Sequence, residues 1–277
     1  MAGLLGLLVS TLVAGGAAAA ARPRPFAGPE DSVRPAAASA KPSAAWPGST
    51  VPALASPQSV PVERVTSANW SGYVLTGGHY SGVEGTFTVP ALRSYVAGST
   101  NCQWVGIDGY GDSSVVQAGV SEVPEGPGQV VVQPWWEAFP GPQIPILTVT
   151  VHTGDKVSVA VEKTGAGEWA ISLKDQTNGE VFAGDEGYSG PARSTEWVVE
   201  AEVQRSDSRP APTPLAPYGP AVVFTDIGAG VAQPAQATLS RLTMVQDGRR
   251  VSTPSVLGGG AFSVVSGGAA PSGPAAS

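Results

Sequence analysis

The chain contains one cysteine and two histidines, and each shortage removes a class of chemistry. Cys102 alone cannot form a disulfide within the chain or supply the several thiolates of a zinc or iron–sulfur site, and it is expected to be a buried small apolar residue. His79 and His152 lie beside turn-forming residues, where we expect them to be exposed rather than to serve as the base of a serine or zinc hydrolase. The sequence therefore predicts neither a metal site nor a cofactor.

Charged residues are also scarce, at 13% of the 277 residues against a usual share of ~25%. Acidic side chains outnumber basic ones by 22 to 15, which gives a net charge of −7 at pH 7. A protein that binds nucleic acid normally presents a basic face. The composition therefore argues against a nucleic-acid partner and leaves an acidic domain rich in Gly, Val and Trp.

Residues 1–22 are predicted to be a signal peptide. An apolar run begins at the N-terminus and ends in a stretch of alanines, which provides several Ala-x-Ala cleavage sites. A run of ~20 apolar residues is also long enough for a membrane anchor, and this alternative stays open although small residues dominate the second half of the run. We expect a secreted, extracellular protein that leaves the membrane on maturation.

Residues 23–62 and 268–277 are predicted to be low-complexity flanks. They are rich in Pro, Ala, Ser and Gly and lack the periodic apolar pattern that a packed core requires. Residues 22–62 hold four basic and two acidic side chains, whereas the following residues hold eleven basic and twenty acidic ones. The opposite charges suggest a pro-segment that covers an acidic cleft of its own domain. A plain linker or stalk explains the composition equally well.

Residues 63–267 carry the pattern of a single all-β domain. Alternating or β-branched stretches at 146–151, 157–161, 169–173 and 196–203 are separated by turn-forming residues. No stretch of 12 or more residues after the N-terminal run shows the apolar stripe of a helix. This spacing predicts a sandwich of two large antiparallel sheets, of the concanavalin-like or jelly-roll type, and we expect a monomer.

One of these stretches places three carboxylates on the same face of a strand. Because alternate residues of a strand share a face, Glu196, Glu200 and Glu202 lie opposite Trp197 and Val199, which belong to the core. A solvent-exposed outer face would explain such a row, but outer faces usually include cations and this one has none. Carboxylates this close repel one another, which raises some of their pKa values.

Two other stretches place aromatic and carboxylate side chains together. Trp135, Glu137 and Phe139 share a face, so that a carboxylate lies between two rings. On another stretch Trp104 and Asp108 share a face. Aromatic rings beside carboxylates are typical of a ligand groove.

Gln117 is a polar residue within an otherwise apolar strand. It must find hydrogen-bond partners or face a wet cleft, because a buried and unpaired polar group costs ~1–3 kcal/mol. Together with the preceding stretches, it predicts one groove lined by Gln, Glu, Asp and Trp side chains.

Five motifs in this order resemble those of the glutamic peptidases, or eqolisins. They are SANWSGY at 67–73, WVGIDG at 104–109, VQAG at 116–119, WWEAFP at 135–140 and TEWVVE at 195–200. The resemblance spans 63–267 and implies a two-sheet sandwich, secreted as a proenzyme, that acts as an endopeptidase on polypeptides at acid pH. It implies that Gln117 and Glu196 form the catalytic dyad and that the supporting, substrate-binding positions are Trp104, Asp108, Trp135, Glu137, Phe139 and Glu200.

Three departures from the family pattern concern residues around the dyad. Ser121 stands where an Asp often follows the Gln motif, and Phe139 stands where the family often has Tyr. The disulfides of the fungal members cannot form with Cys102 alone. The dyad is unaffected, whereas the pH optimum and the subsite preference are not determined by the sequence.

The resemblance implies a hydrolytic mechanism without a metal or a covalent intermediate. Ionised Glu196 removes a proton from a water molecule held between itself and Gln117, and the NH₂ group of Gln117 stabilises the oxyanion that forms. Glu196 then passes the proton to the leaving amine. We expect Glu196 to titrate near the ordinary glutamate pKa of ~4.3, which suits work at pH ~3–4, and Glu200 is the alternative base.

Two other functions remain possible on sequence alone. A glycoside hydrolase also pairs two carboxylates on a β-sandwich, in which case Trp104, Trp135 and Trp136 would be sugar platforms. A non-catalytic carbohydrate- or peptide-binding module could use the same groove, because a sandwich fold does not specify chemistry.

Overall fold

The computed structural model describes residues 60–204, 210–231 and 237–268, and every regular element in these ranges is a β-strand. The predicted signal peptide, nearly all of the segment 23–62 and nearly all of the tail lie outside them, so those boundaries stay predictions. None of the described residues belongs to a helix that is long and apolar enough to cross a membrane. The strands are β1 (Val62–Ser67), β2 (Trp70–Thr76), β3 (Tyr80–Thr88), β4 (Ala91–Leu92), β5 (Asn101–Asp108), β6 (Val115–Gly126), β7 (Gln129–Phe139), β8 (Ile144–Pro145), β9 (Lys156–Gly165), β10 (Glu168–Asp175), β11 (Val181–Gly187), β12 (Ser194–Glu200), β13 (Val203–Gln204), β14 (Ala211–Pro212), β15 (Tyr218–Gly219), β16 (Val222–Val231), β17 (Thr238–Gln246), β18 (Arg249–Pro254) and β19 (Phe262–Ser266).

The hairpin of β9 and β10 shows how the alternating pattern becomes a strand pair. Val157, Val159 and Val161 are fully buried, as the period of two requires. Gly167 lies in the turn with a φ of 77°, in the left-handed region that favours glycine. The strands predicted at 157–161 and 169–173 are therefore confirmed.

Fifteen of the strands form one continuous sheet rather than two separate ones. Along its path the order is β11, β10, β9, β3, β16, β19, β18, β17, β2, β12, β5, β6, β7 and β8, and β1 pairs in parallel with β17 beside this path. β17 forms the corner, because Thr238–Leu242 pairs with β2 and Met244–Gln246 pairs with β18. Antiparallel pairing dominates, and the predicted all-β class is confirmed.

The two halves of this sheet face each other across one apolar core. The Trp197 indole of β12 reaches β3 and donates a hydrogen bond to the carbonyl oxygen of Glu84 at 2.6 Å. Tyr73 packs edge-on against Phe262, with ring centroids 4.8 Å apart. The core fixes β12 and β5 from behind, so that their opposite face is free to carry polar residues.

The strand predicted at 146–151 is wrong. The chain bends at Thr148, and Ile146, Val149 and Val151 are buried while Leu147 is 84% exposed. Ile146 makes one backbone bond to Pro134, and Thr150 instead bonds to side chains of the 175–180 turn. The bend breaks the alternation that the sequence suggests, and in the described part of the chain no neighbouring strand completes a ladder.

Candidate active site

A lateral row across four neighbouring strands brings four sequence motifs together. The strand register pairs Glu196 with Gly106, Gly106 with Gln117, and Gln117 with Glu137. Directly paired residues point to the same face of a sheet. Residues that are up to 90 positions apart in the sequence therefore share one surface.

A cavity of about 570 Å³ lies over this face of the sheet. Five of the eight predicted site residues line it, namely Gln117, Trp135, Glu137, Phe139 and Glu200. The other three, Trp104, Asp108 and Glu196, are fully buried beside or beneath it. The structure thus gathers the predicted residues at one site but divides them between its wall and the layer behind.

Gln117 is bound to its cross-strand partner. Its Nε2 donates a hydrogen bond to Oε2 of Glu137 at 2.8 Å. The side chain is 7% exposed, and its Oε1 is buried without a partner among the described residues. Gln117 therefore has a hydrogen-bond partner and also lines the cleft. These are the two situations that the sequence predicted for a polar residue in an apolar strand.

Glu196 is an acid buried without a hydrogen-bond partner. The residue is 0% exposed, and within the described ranges neither oxygen of its carboxyl group accepts a hydrogen bond. Burial raises its pKa well above the ordinary value; the nearby Ser194 hydroxyl opposes the shift, and the charges of Asp108 and Asp112 add to it. The expected titration near the ordinary glutamate value is therefore not supported.

Asp108 holds the loop in front of β12 instead of lining the cavity. Its carboxylate accepts hydrogen bonds of 2.7 Å from the Tyr188 hydroxyl and from the backbone N–H groups of Ala192 and Arg193. Its φ of 69° lies in the left-handed region, where the regular alternation of strand faces ends. For this reason the parity shared with Trp104 did not reveal where its side chain goes.

Glu200 fixes the aromatic wall of the cavity. Its Oε2 accepts a hydrogen bond from the Trp104 indole at 2.7 Å, and its Oε1 accepts one from the Asn69 amide at 3.0 Å. Trp70 packs edge-on against Trp104 with centroids 5.0 Å apart. Asn69 and Trp70 both line the cavity, and their roles were not predicted from the motif at 67–73 that contains them.

Glu202 completes an acidic corner beside Glu200. Burial, followed by the charge of Glu202, raises the pKa of Glu200 to about 7, while hydrogen bonds from Trp104, Trp70 and Asn69 oppose the shift. The expected rise in pKa is confirmed, although burial contributes more than repulsion. Ser121, which replaces the Asp of the family pattern, donates a hydrogen bond to Glu202.

The remaining candidates for chemistry are a buried thiol and two exposed histidines. Cys102 is 0% exposed, and burial raises the pKa of its thiol well above the ordinary value. His79 is exposed, and His152 has a side chain that is 73% exposed. Among the described residues no group of three or more His, Cys, Asp or Glu side chains is arranged to hold a metal ion.

Comparison with known sequences gives a consistent result. The sequence profile of the peptidase A4 family matches residues 68–265. Aspergillopepsin-2 from Aspergillus niger is 29% identical over 220 residues, which are 69% of this chain and 75% of that protein. Scytalidopepsin B from Scytalidium lignicola is 27% identical over 173 residues, which are 59% of this chain and 64% of that protein.

Solved structures support the fold. Scytalido-glutamic peptidase with a transition state analogue inhibitor superposes with a TM-score of 0.63 at 22% identity, over 72% of this chain and 98% of that one. The eqolisin SCP-B in complex with the tripeptide Ala-Ile-His gives a TM-score of 0.61 at 21% identity, with the same coverage. Since the family profile covers more than half of the chain, this protein belongs to the peptidase A4 family of glutamic peptidases and is an endopeptidase rather than a glycoside hydrolase or a binding module.

Proposed function

We propose that the protein is a secreted acid endopeptidase that hydrolyses polypeptides with Glu196 and Gln117 as its catalytic pair. The observation that carries this proposal is the lateral row, in which only Gly106 separates the two residues. Neighbouring strands are ~4.8 Å apart, so the two Cα atoms are roughly 10 Å apart. Because Gly106 has no side chain of its own, we place the attacking water molecule between Glu196 and Gln117.

In the proposed reaction Glu196 is the base and Gln117 is the oxyanion donor. The ionised carboxylate of Glu196 takes a proton from the water molecule, and the hydroxide attacks the scissile carbonyl carbon. A side-chain N–H of Gln117 donates a hydrogen bond to the oxyanion. Glu196, now protonated, gives its proton to the leaving nitrogen as the C–N bond breaks, which returns the enzyme to its starting state.

The hydrogen-bond partners favour Glu196 over Glu200 as the base. Both oxygens of Glu200 accept hydrogen bonds from the groove wall, at 2.7 and 3.0 Å, and are therefore occupied. The two oxygens of Glu196 have no partner in the described part of the chain. A buried carboxyl group in that state has the most to gain from binding a water molecule.

The raised pKa of Glu196 shifts the pH range in which the enzyme is expected to be active. A base acts in its ionised form, and burial makes that form prevail only above the ordinary glutamate pKa. We therefore propose that the acid limb of the kcat/KM profile lies above pH ~4.3 rather than at pH 3–4. A higher pKa also makes the carboxylate a stronger base toward water.

The acidic lining of the cavity is consistent with binding of polypeptides and of the basic leader, residues 22–62. Glu137, Glu200, Glu202 and Asp112 all contribute to its wall. The net positive charge of residues 22–62 complements this wall. We propose that this leader is a pro-segment that covers the groove before maturation, and that the mature enzyme is an extracellular monomer.

Two substitutions test the catalytic pair. Glu196→Gln and Gln117→Ala are each expected to reduce cleavage of a denatured polypeptide by ~10²-fold or more between pH 2 and 8. Pepstatin, which targets aspartic dyads, is expected to leave the wild-type activity unchanged. Glu125→Gln is the matched control, because Glu125 is exposed on β6 away from the row. Near wild-type hydrolysis by either catalytic variant would show that the assignment is wrong.

A further inference from the structure

We propose that Glu137 is a positioning residue that determines which end of the Gln117 amide faces the scissile bond. The inference rests on the proposed function and adds to it the orientation of the oxyanion donor. Glu137 itself transfers no proton and forms no bond with the substrate in this scheme.

The geometry places Glu137 in direct contact with the amide. The two residues are an antiparallel cross-strand pair of β6 and β7, so their side chains leave the sheet next to each other on one face. Nε2 of Gln117 lies 2.8 Å from Oε2 of Glu137. Gln117 is 93% buried, which limits the contribution of solvent to the orientation of its amide.

The chemistry of the pair selects one orientation of the amide. The two ends of a glutamine amide have nearly the same shape, so packing alone hardly distinguishes them. A carboxylate only accepts hydrogen bonds, so the NH₂ end of Gln117 is favoured beside Glu137 and the carbonyl end is repelled. With Glu137 ionised, the bond is charge-assisted and roughly twice as strong as a neutral one.

The selected orientation provides what the reaction requires at both ends of the amide. One N–H of Nε2 is held by Glu137, and the second N–H on the same nitrogen remains to donate to the oxyanion. Oε1 lies at the opposite end of the amide and has no partner among the described residues. It can accept one hydrogen of the water molecule whose other hydrogen passes to Glu196, which follows in the row beyond Gly106.

Glu137→Gln tests this role because it keeps the shape of the side chain at 137 and removes its preference for one orientation of the Gln117 amide. A glutamine at 137 can either donate to or accept from Gln117, so both orientations of the Gln117 amide become acceptable. We expect kcat to fall roughly ten- to hundredfold, the equivalent of one hydrogen bond to a charged group, with KM changed by less than about twofold. Glu125→Gln serves as the matched control on the same hairpin.

Two further measurements distinguish positioning from a general structural role. In ¹⁵N-labelled protein, the side-chain NH₂ resonances of Gln117, assigned by their loss in Gln117→Ala, are expected to change in Glu137→Gln and to stay unchanged in Glu125→Gln. Glu137→Asp keeps the carboxylate, and we expect it to recover part of the kcat that Glu137→Gln loses.

The outcomes separate this inference from the proposed function. If Glu137→Gln keeps the wild-type kcat while Gln117→Ala is inactive, the positioning role is overturned and the catalytic pair stands. If kcat, KM and thermal stability change together and Glu137→Asp recovers nothing, Glu137 is structural and the inference also fails. Wild-type activity in Gln117→Ala overturns the proposed function itself.

Discussion

Asp108 is the residue through which the loop before β12 is fixed. Its fully buried carboxylate accepts three hydrogen bonds, two of them from the backbone of Ala192 and Arg193. Because β12 begins at Ser194, these bonds set the position from which Glu196 follows. The charge of Asp108 also raises the pKa of Glu196, so a single carboxylate influences both the position and the titration of the base.

Asp108→Asn is expected to separate these two effects. Replacing the charged acceptor in this buried network is expected to lower the free energy of unfolding by ~2–4 kcal/mol, measured by urea denaturation. Loss of the negative charge lowers the pKa of Glu196, so the acid limb of kcat/KM moves to lower pH. Asp112→Asn, whose effect on Glu196 is smaller, is expected to move the limb less. An acid limb that stays in place in Asp108→Asn would contradict the electrostatic part of this account.

The strand β5 contributes a glycine where the catalytic row needs space. A side chain at Gly106 would bring its Cβ within 2.9 Å of Cβ of Gln117 and 3.0 Å of Cζ3 of Trp104. At Gly85, on the core side of β3, a Cβ would lie 2.9 Å from Cδ1 of Trp197. The two glycines therefore impose a similar steric limit at different places, Gly106 on the groove side of β5 and Gly85 on the core side of β3 in the facing half of the sheet.

Gly106→Ala and Gly85→Ala form a matched pair of variants. Each is expected to lower stability by about 1–3 kcal/mol through overpacking, seen in the unfolding midpoint. Only Gly106→Ala displaces the Gln117 amide, and a displacement of ~1 Å at a reacting group can cost ~10²-fold in rate. We expect kcat to fall at least tenfold in Gly106→Ala and less than threefold in Gly85→Ala, and equal losses in the two variants would rule out a specific role for Gly106.

Strand faces could be predicted from the sequence, whereas strand partners could not. The parity of Trp135, Glu137 and Phe139 was predicted correctly because alternation is a property of the extended backbone itself. The pairing of Gly106 with both Glu196 and Gln117 depends on long-range register, which no local pattern encodes. The wrong strand at 146–151 also shows this limit, because the sequence alternates locally whereas the folded chain bends at Thr148 and has no described strand beside it to pair with.

Buried carboxyl groups in the described ranges of the molecule, such as those of Glu122 and Glu200, accept hydrogen bonds from neutral side chains. Glu122 is 0% exposed on the core side of β6, where Asn101 and Gln103 donate hydrogen bonds of 2.8 and 3.3 Å to its Oε2. Burial raises its pKa to about 8 from an ordinary value of 4.5. The folded protein thus keeps a proton that the unfolded chain releases above pH 4.5. This contribution to stability is complete below pH 4.5 and is lost as the pH rises through about 8.

Glu122→Gln is expected to reduce the loss of stability in alkali. The shift corresponds to a change on the order of 5 kcal/mol in the free energy of unfolding of the wild type between pH 4 and pH 9. A glutamine does not titrate, so the variant is expected to gain stability relative to the wild type as the pH rises. Denaturant titrations at pH 4, 6, 8 and 9 measure this, with the exposed Glu125→Gln as control. Parallel curves for Glu122→Gln and the wild type would refute the assignment.

The continuous strand path also decides where two copies of the molecule can meet. The path ends at β8 and β11, and an open strand edge is a template for pairing with another chain. At β8 the edge has two residues and ends in Pro145, which lacks an N–H at any pH. At β11 the acidic side chains of Asp185 and Glu186 protect the edge from pairing with another chain. Burial together with neighbouring acidic charges raises the pKa of Glu186. Protonation of Glu186 in acid therefore weakens the protection of the β11 edge, and aggregation during storage at low pH is expected to involve this edge.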